Sequence, residues 1–337
     1  MILPTTYWAA LLLAIFSMIC WGSWANTFKM TGKWRFELFY FDYSFGVVLA
    51  AVVAAFTFGQ LGTELSFTDN IAVTGKRQLA YAAAGGVVFN LANMLLVAAI
   101  SISGMAVAFP IGIGLALIIG VIWNYYINPQ GNPAFLFSGV ALVTLAIILD
   151  AMAYNAHSKK QAQASGKRSK GGVKGIVVSL ISGVLMGSFY PIVELSKVGD
   201  IGLGPYAVAF FFSIGVFFST FIFNIYFMNL PIHGKSVDFV SYFKGTARQH
   251  LLGVLGGILW CTGALCNFIA ASAPKSVQVG PAVSYALGQG ATMVSALWGL
   301  LLWKEFEGAD SKVRGLIAMM LLFFLAGLLV ISLAPLN

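Results

Sequence analysis

Long apolar stretches separated by short polar ones run along the whole chain. Ten of these stretches are long enough to cross a bilayer, because about 20 helical residues span its hydrocarbon region. Their apolar positions are continuous and do not alternate, which is typical of membrane helices rather than barrel strands. The pattern predicts an all-α membrane protein with ten transmembrane helices, at residues 7–28, 38–59, 78–100, 104–126, 134–155, 173–195, 203–229, 249–271, 278–303 and 312–334.

The composition agrees with this class and narrows the chemistry. Hydrophobic residues make up 59% of the chain and charged residues only 9%, against about 25% charged residues in globular proteins. No group of residues has metal-ligand spacing, because His157, His233 and His250 are isolated loop residues in the predicted topology. No nucleophile is paired with a base either, so we predict no enzyme activity, no metal and no cofactor.

The basic residues predict the orientation in the membrane. If the N-terminus lies outside, fifteen of the nineteen Lys and Arg residues fall in cytoplasmic loops, as the positive-inside rule requires. The protein would then lie in the cell (inner) membrane, with both termini on its outer side. The net charge of +8 is explained by contact with anionic lipid and needs no nucleic-acid partner. The outer loops keep Lys76, Arg77, Lys197 and Lys275.

The two halves of the chain resemble each other on either side of a basic, Gly/Ser-rich linker at 157–172. Residues 1–156 and 173–337 each contain five predicted spans. Because five is odd, the second half enters the membrane from the opposite side, an inverted repeat that secondary transporters use for alternating access. At an offset of 171, Gly85-Gly86 matches Gly256-Gly257, Asn90 matches Cys261, Ser101 matches Ser272 and Pro110 matches Pro281; at an offset of 165, "GSW" at 22–24 matches "GSF" at 187–189.

Two carboxamides lie inside the third span. Asn90 and Asn93 are three residues apart and should share one helix face. A buried amide without partners is costly in hydrocarbon, so both side chains should face protein or a cavity. Each amide offers one acceptor and two donors to a neutral polar solute. The alternative is that they bond other helices and only hold the bundle together.

Other candidates lie in matching places of both halves. Pro110 and Pro281 could free backbone carbonyls in spans four and nine, although tight packing of small residues explains the same pattern. Gln289 lies near mid-membrane and shares a face with Tyr285. The aromatic residues that could stack on a planar ring or a sugar face are Trp21, Trp24, Phe89 and Trp260, of which Phe89 and Trp260 are related by the repeat.

Charged residues inside the spans are rare. Asp42 lies in span two and Asp150 in span five, and intramembrane carboxylates are costly and tend to be functional. We predict that they couple transport to protons, with a static hydrogen bond between helices as the alternative for Asp42. Glu37 and Glu194 lie nearer span ends, where water, Arg35 or Lys197 can satisfy them.

Four motifs resemble one family of transporters. "FDYSF" (41–45), "FTFGQLG" (56–62), "GGVVFNLAN" (85–93) and "ALWGLLLWKEF" (296–306) are similar to the ureide permeases, close to the glucose/ribose porters and the rhamnose–proton symporter in the drug/metabolite transporter superfamily. The central loop here is short and lacks Walker-A spacing. Ala25 stands where the family pattern leads us to expect proline.

The resemblance implies a secondary permease. It would import a small, polar, neutral solute, a ureide or an oxo-nucleobase, together with protons. A sugar–proton symporter is the first alternative. A drug or metabolite exporter is the second; it should carry an acidic residue deep in span one, where this chain has none.

Overall fold

The computed structural model describes residues 1–336 except 104, 166–172, 200, 232–234, 275 and 278, and it omits the side chains of 101, 103, 105–107, 109–110 and 161–165. The described chain is helical and contains no β-strand. The α-helices are α1 (Tyr7–Ser23), α2 (Ala25–Met30), α3 (Phe36–Phe56), α4 (Phe67–Val73), α5 (Lys76–Ser103), α6 (Met105–Ile127), α7 (Pro133–Ser165), α8 (Val173–Leu195), α9 (Pro205–Asn229), α10 (Ala247–Ala271), α11 (Pro281–Gln289), α12 (Ala291–Leu301) and α13 (Ser311–Leu333), with 3₁₀ helices at Phe239–Lys244 and Ala334–Leu336.

Eight of the predicted spans are confirmed as helices that are long and apolar enough to cross a membrane. They lie at Tyr7–Met30, Phe36–Phe56, Lys76–Ile100, Pro133–Lys160, Val173–Leu195, Pro205–Asn229, Ala247–Ala271 and Ser311–Leu336.

The other two predicted spans are not among these eight. Span four forms one helix, α6, whose fully described apolar segment is Ile111–Ile127. Span nine is divided into α11 and α12 at Gly290, whose backbone lies in the helical region. The linker predicted from 157 begins as helix, because α7 continues to Ser165; the rest of that segment, 166–172, lies outside the described residues.

Polar caps fix where several helices begin. Thr246 and Gln249 form a reciprocal capping box at the start of α10, which satisfies donors that have no partner within the helix. Asp310 caps α13 and accepts a hydrogen bond from the backbone N–H of Val313 at 2.9 Å. This bond, with Lys160 nearby, holds the pKa of Asp310 below its ordinary value.

The loops gather at the two ends of the helices. One end, here called the terminal face, holds both ends of the described chain: the N-terminal ammonium donates to the carbonyl of Glu64 at 2.9 Å, and the backbone N–H of Asn132 donates to the carbonyl of Ala334 at 2.7 Å. The opposite end, the linker face, carries the ion pair between Lys29 and Glu305 and the end of α7.

Two groups of helices form the core. The α10 group consists of α1, α2, α3, α10, α11 and α12, and within it α10 packs against α1, α3 and α11. The α5 group consists of α5, α6, α8 and α9, and within it α5 packs against the other three. Each group therefore combines helices from both sides of the linker. Helices α7 and α13 pack against each other beside the two groups.

Glycines allow the central helices to approach each other closely. A methyl group on Gly257 of α10 would overlap the carbonyl oxygen of Tyr43 in α3. A methyl group on Gly86 of α5 would overlap the carbonyl oxygen of Phe212 in α9. Backbones that touch in this way are the packing that small residues make possible between membrane helices.

Candidate functional site

Aromatic rings fill the middle of the interface between the two groups. Phe89 of α5 stacks on Trp260 of α10, with 4.2 Å between ring centroids and 29° between ring planes. Phe212 of α9 stacks on the same indole at 5.6 Å. Trp21 of α1 stacks on Trp260 at 5.9 Å and donates its indole N–H to the carbonyl of Trp260 at 3.2 Å. The repeat-related pair Phe89 and Trp260 is thus in direct contact across the interface.

Polar contacts cross the interface on the linker-face side of these rings. Asn93 of α5 donates its amide to the hydroxyl of Tyr40 in α3 at 3.1 Å, and both side chains are buried. Nearer the linker face, the amide of Asn224 in α9 donates to the backbone carbonyl of Glu37 in α3. These bonds hold the α5 group against the α10 group at this end.

A second polar contact crosses the interface on the terminal-face side. Tyr190 of α8 donates its hydroxyl to the side-chain oxygen of Asn267 in α10 at 2.7 Å. The amide of Asn267 in turn donates to the hydroxyl of Ser17 at 3.2 Å and to the carbonyl of Ser284 at 2.9 Å. One fully buried carboxamide therefore joins α1, α8, α10 and α11.

Tyr285 and Gln289 lie on α11 beside this contact. The buried hydroxyl of Tyr285 reaches the backbone carbonyls of Ala116 in α6 and Met186 in α8, at 3.3 and 3.2 Å. Gln289 is buried at the end of α11, and within the described residues its side chain makes no hydrogen bond. Tyr285 thus joins the two groups, and Gln289 keeps its amide available.

Asn90 and Asn93 point to different neighbouring helices, although their spacing predicted one shared face. Three residues turn a helix by about 300°, which leaves the two side chains far enough apart to meet different partners. The amide nitrogen of Asn90 lies 2.8 Å from the hydroxyl of Ser219 and 3.1 Å from that of Thr220, both in α9. Its oxygen is buried without a hydrogen-bond partner among the described residues.

Trp24 lies at the junction of α1 and α2, within the α10 group. Its ring packs against Tyr43 with 4.9 Å between centroids. Tyr43 packs in turn on Tyr40 at 4.8 Å. Trp24 is therefore separated from Asn93 by a layer of two tyrosines.

Asp42 is held by two side chains, one from the 3₁₀ helix before α10 and one from the first turn of α10. The hydroxyl of Tyr242 donates to one carboxylate oxygen at 2.6 Å, and Nδ1 of His250 lies 2.8 Å from the other. The prediction that His250 is an isolated loop residue is wrong, because the capping box at Thr246 starts α10 early enough to turn His250 towards α3. Burial, with Asp42 nearby, raises the pKa of Tyr242, so its hydroxyl remains a donor at neutral pH.

The remaining carboxylates lie away from the aromatic layer. Asp150 of α7 is partly buried. Glu37 pairs with Arg35 at 2.6 Å and Glu194 with Lys197 at 2.6 Å, so both satisfy their charge at span ends as predicted. These pairs leave Asp42 as the candidate carboxylate with partners on a second helix.

Of the two repeat-related prolines that could free backbone carbonyls inside spans four and nine, Pro281 lies at a helix start instead. Pro281 is the first residue of α11 and follows Gly280, whose φ is 83°. Proline suits this position because its fixed φ fits a helix start and its missing N–H would be unpaired there anyway. Pro110 falls within the range of α6, and its side chain lies outside the described residues.

Sequence reasoning missed four buried polar residues. They are Tyr40, Tyr43, Tyr190 and Asn267. Tyr40 and Tyr43 are three apart around "FDYSF", a helical spacing that was visible in the sequence. Asn267 gave a weaker signal, a single carboxamide near the end of span eight.

Comparison with known proteins identifies a family. The ureide permease model matches residues 39–172 and 159–334. The chain is 25% identical to ureide permease 2 of Arabidopsis thaliana and 25% identical to ureide permease 1 of the same plant; each alignment covers 96% of this chain and 95% of the plant protein. A protein of known crystal structure shares the fold with a TM-score of 0.58 and 14% identity, over 96% of this chain and 98% of that one.

Proposed function

Because the chain belongs to the ureide permease family, it is a multi-pass membrane transporter and not an enzyme, and we propose that it carries ureides or similar small neutral amides. The names of its relatives support this substrate class. The observation that carries the proposal is the stack of Phe89 on Trp260 between two helix groups. Flat aromatic faces beside buried carboxamides suit a planar solute that both stacks and hydrogen-bonds.

We propose that the two halves form an inverted repeat of five spans each, in which α6 and the broken α11–α12 are also crossings. Paired glycine contacts support it. Gly86 meets a carbonyl of α9, and Gly257, which lies 171 residues later, meets a carbonyl of α3. In return, Gly215 of α9 meets the carbonyl of Ala83, and Gly46 of α3 meets that of Val254, again 171 residues after Ala83.

Helix neighbours follow the same symmetry. Helix α5 packs against α8 as α10 packs against α1, and α5 packs against α9 as α10 packs against α3. Helix α6 packs against α8 as α11 and α12 pack against α1. A chain built from two related halves of opposite orientation would repeat its contacts in this way.

Transport by alternating access follows from this architecture. The α10 and α5 groups would rock against each other around the aromatic layer, so that one face opens while the other stays closed. Tyr40–Asn93 would close the linker-face side and Tyr190–Asn267 the terminal-face side. The proposed substrate-binding residues are Phe89, Asn90, Asn93, Trp24, Trp260, Tyr285 and Gln289, with Pro110 and Pro281 shaping the backbone around them.

Ligand binding and uptake test the substrate class. Purified protein should be stabilised against heat by allantoin and uracil and not by glucose or ribose, because a ligand stabilises the state that it binds. Protein in liposomes should take up radiolabelled allantoin, and an excess of unlabelled uracil should reduce that uptake. Stabilisation and uptake by a sugar alone would replace the ureide proposal with the sugar symporter.

We propose that a proton is transported with the substrate and that Asp42 binds it. Asp42 is the seventh residue of α3, well inside a candidate span. The groups that face it are Tyr242 and His250. A protonated, neutral Asp42 would avoid the free-energy cost of burying a charge when the site is closed and dry. The charged carboxylate would be favoured when water enters the site. Asp150 is the second proposed coupling residue.

We propose that the protein lies in the cell (inner) membrane with its termini outside, because basic residues concentrate on the linker face. A C-terminal fusion to alkaline phosphatase should therefore be active in a bacterial host, and a fusion to green fluorescent protein should stay dark. As a control, both reporters fused after residue 165 should give the reverse result. Bright fluorescence without phosphatase activity at the C-terminus would show the opposite orientation.

A further inference from the structure

Two fully buried polar atoms, one in each group, have no hydrogen-bond partner among the described residues. They are the hydroxyl of Tyr43, in α3 of the α10 group, and the side-chain oxygen of Asn90, in α5 of the α5 group. Neither finds a hydrogen bond within the described residues. A phenol hydroxyl can donate and a carboxamide oxygen can only accept, so the two unpaired atoms have complementary chemistry.

The neighbouring hydrogen bond places both residues at one depth. Tyr40 of α3 and Asn93 of α5 are joined at 3.1 Å. Helix α3 ends at the terminal face and α5 begins there, so the two helices run in opposite directions. Tyr43 is three residues after Tyr40, and Asn90 is three residues before Asn93. Each step is about 4.5 Å towards the terminal face, so Tyr43 and Asn90 lie level with each other.

The aromatic layer borders this level on both helices. Phe89, which stacks on Trp260, is next to Asn90 in α5. The backbone carbonyl of Tyr43 lies against Gly257, three residues before Trp260 in α10. A solute held between Tyr43 and Asn90 would therefore also reach the face of an aromatic ring.

We propose that Tyr43 and Asn90 together recognise an H–N–C=O unit of the transported solute. The hydroxyl of Tyr43 donates to the solute carbonyl, and the oxygen of Asn90 accepts from the solute N–H. This assignment rests on the proposed transport of ureides and adds the residues that select for them. Leaving both atoms unpaired in a sealed interior is unfavourable, and an amide or ureide satisfies the two at once.

Other unpartnered atoms do not form such a pair. The side-chain oxygens of Asn124 and Asn224 and the hydroxyl of Ser272 are also buried without partners in the described part of the chain. Asn224 and Ser272 lie near helix ends, and Asn124 donates back to Gly120 of its own helix. None of the three borders the stack of Phe89 on Trp260.

Replacement of Tyr43 by phenylalanine tests the proposal. Because the hydroxyl has no hydrogen-bond partner among the described residues, Tyr43→Phe should melt at the wild-type temperature or above it without ligand. Its Kd for allantoin and for uracil, measured by titration calorimetry on the purified protein, should rise about tenfold or more, the effect of losing one buried hydrogen bond.

Tyr40→Phe is the matched control, three residues away on the same helix. Its hydroxyl accepts from Asn93, so its loss should lower the melting temperature of the protein without ligand. A second probe tests the proposed hydrogen bond from the solute N–H to the oxygen of Asn90. The probe 1,3-dimethyluracil keeps both carbonyls and has no N–H, so wild type should bind it at least about tenfold more weakly than uracil. Tyr43→Phe should weaken both ligands by the same factor.

The outcomes separate the inference from the function on which it rests. If wild type binds allantoin and uracil and Tyr43→Phe binds them equally well, Tyr43 is not a recognition residue and only the inference fails. A lower melting point without ligand in Tyr43→Phe, with unchanged Kd values, would assign the hydroxyl a structural role. If wild type binds neither probe, the ureide proposal fails and the inference fails with it.

Discussion

Asp42→Asn is expected to abolish proton-driven accumulation of substrate while substrate exchange continues. The carboxamide keeps an oxygen that accepts from Tyr242, so the contact between α3 and the segment before α10 survives. The carboxamide cannot bind and release a proton, so a pH gradient can no longer drive transport. One coupled proton lets a gradient of about one pH unit, worth about 1.4 kcal/mol, concentrate a neutral solute about tenfold.

Liposomes containing the purified variant provide the measurement. Counterflow of labelled allantoin reports exchange, and net uptake under an imposed pH gradient reports coupling. Glu194→Gln is a suitable control, because Glu194 is an equally buried carboxylate whose partner is Lys197 at the terminal face; this variant should keep both activities. An Asp42→Asn protein that still concentrates allantoin on a pH gradient would remove Asp42 from the coupling mechanism.

Gly257→Ala is expected to destabilise the protein more than a Gly→Ala substitution on an exposed helix surface. The new methyl group would overlap the carbonyl oxygen of Tyr43, and no flexible side chain is there to move aside. Helix α10 would have to separate from α3 at this close backbone contact. Overpacking of this kind costs about 1–3 kcal/mol or more, and it should appear as a clear fall in melting temperature.

Gly315→Ala on α13 is the matched control. A methyl group there meets no atom of the described residues within 4 Å, and Gly315 lies on an exposed helix surface. Alanine in place of glycine in a helix is favourable by about 1 kcal/mol, so this variant should melt at or slightly above the wild-type temperature. Equal melting temperatures for Gly257→Ala and Gly315→Ala would contradict the close contact between α10 and α3.

Much of the fold could be predicted from the sequence because hydrophobicity dictates where a chain crosses a bilayer. Eight spans follow from length and hydropathy alone. Span nine was harder, because a run of apolar residues does not reveal that the helix is divided at Gly290. The start of α11 at Pro281 depends on the turn before it, which periodicity does not show.

The candidate site was predicted in part. The repeat pointed to Phe89 and Trp260, which are in contact. Spacing within a helix fixes the angle between Asn90 and Asn93 but not the identity of their neighbours, so it could not separate contact with α9 from contact with α3. His250 was missed for a related reason. Its partner Asp42 lies 208 positions away, and a pairing at that separation depends on tertiary packing.

The order of the chain differs from the order of its packing. The linker divides the sequence into two halves, yet the α10 group takes α1 and α3 from the first half and α10 to α12 from the second. If the two helix groups are the moving units, as proposed, neither half of the sequence forms a moving unit by itself. Each half instead supplies helices to both groups. The product of a gene encoding only the first half would therefore have central helices that each lack a packing partner from the second half.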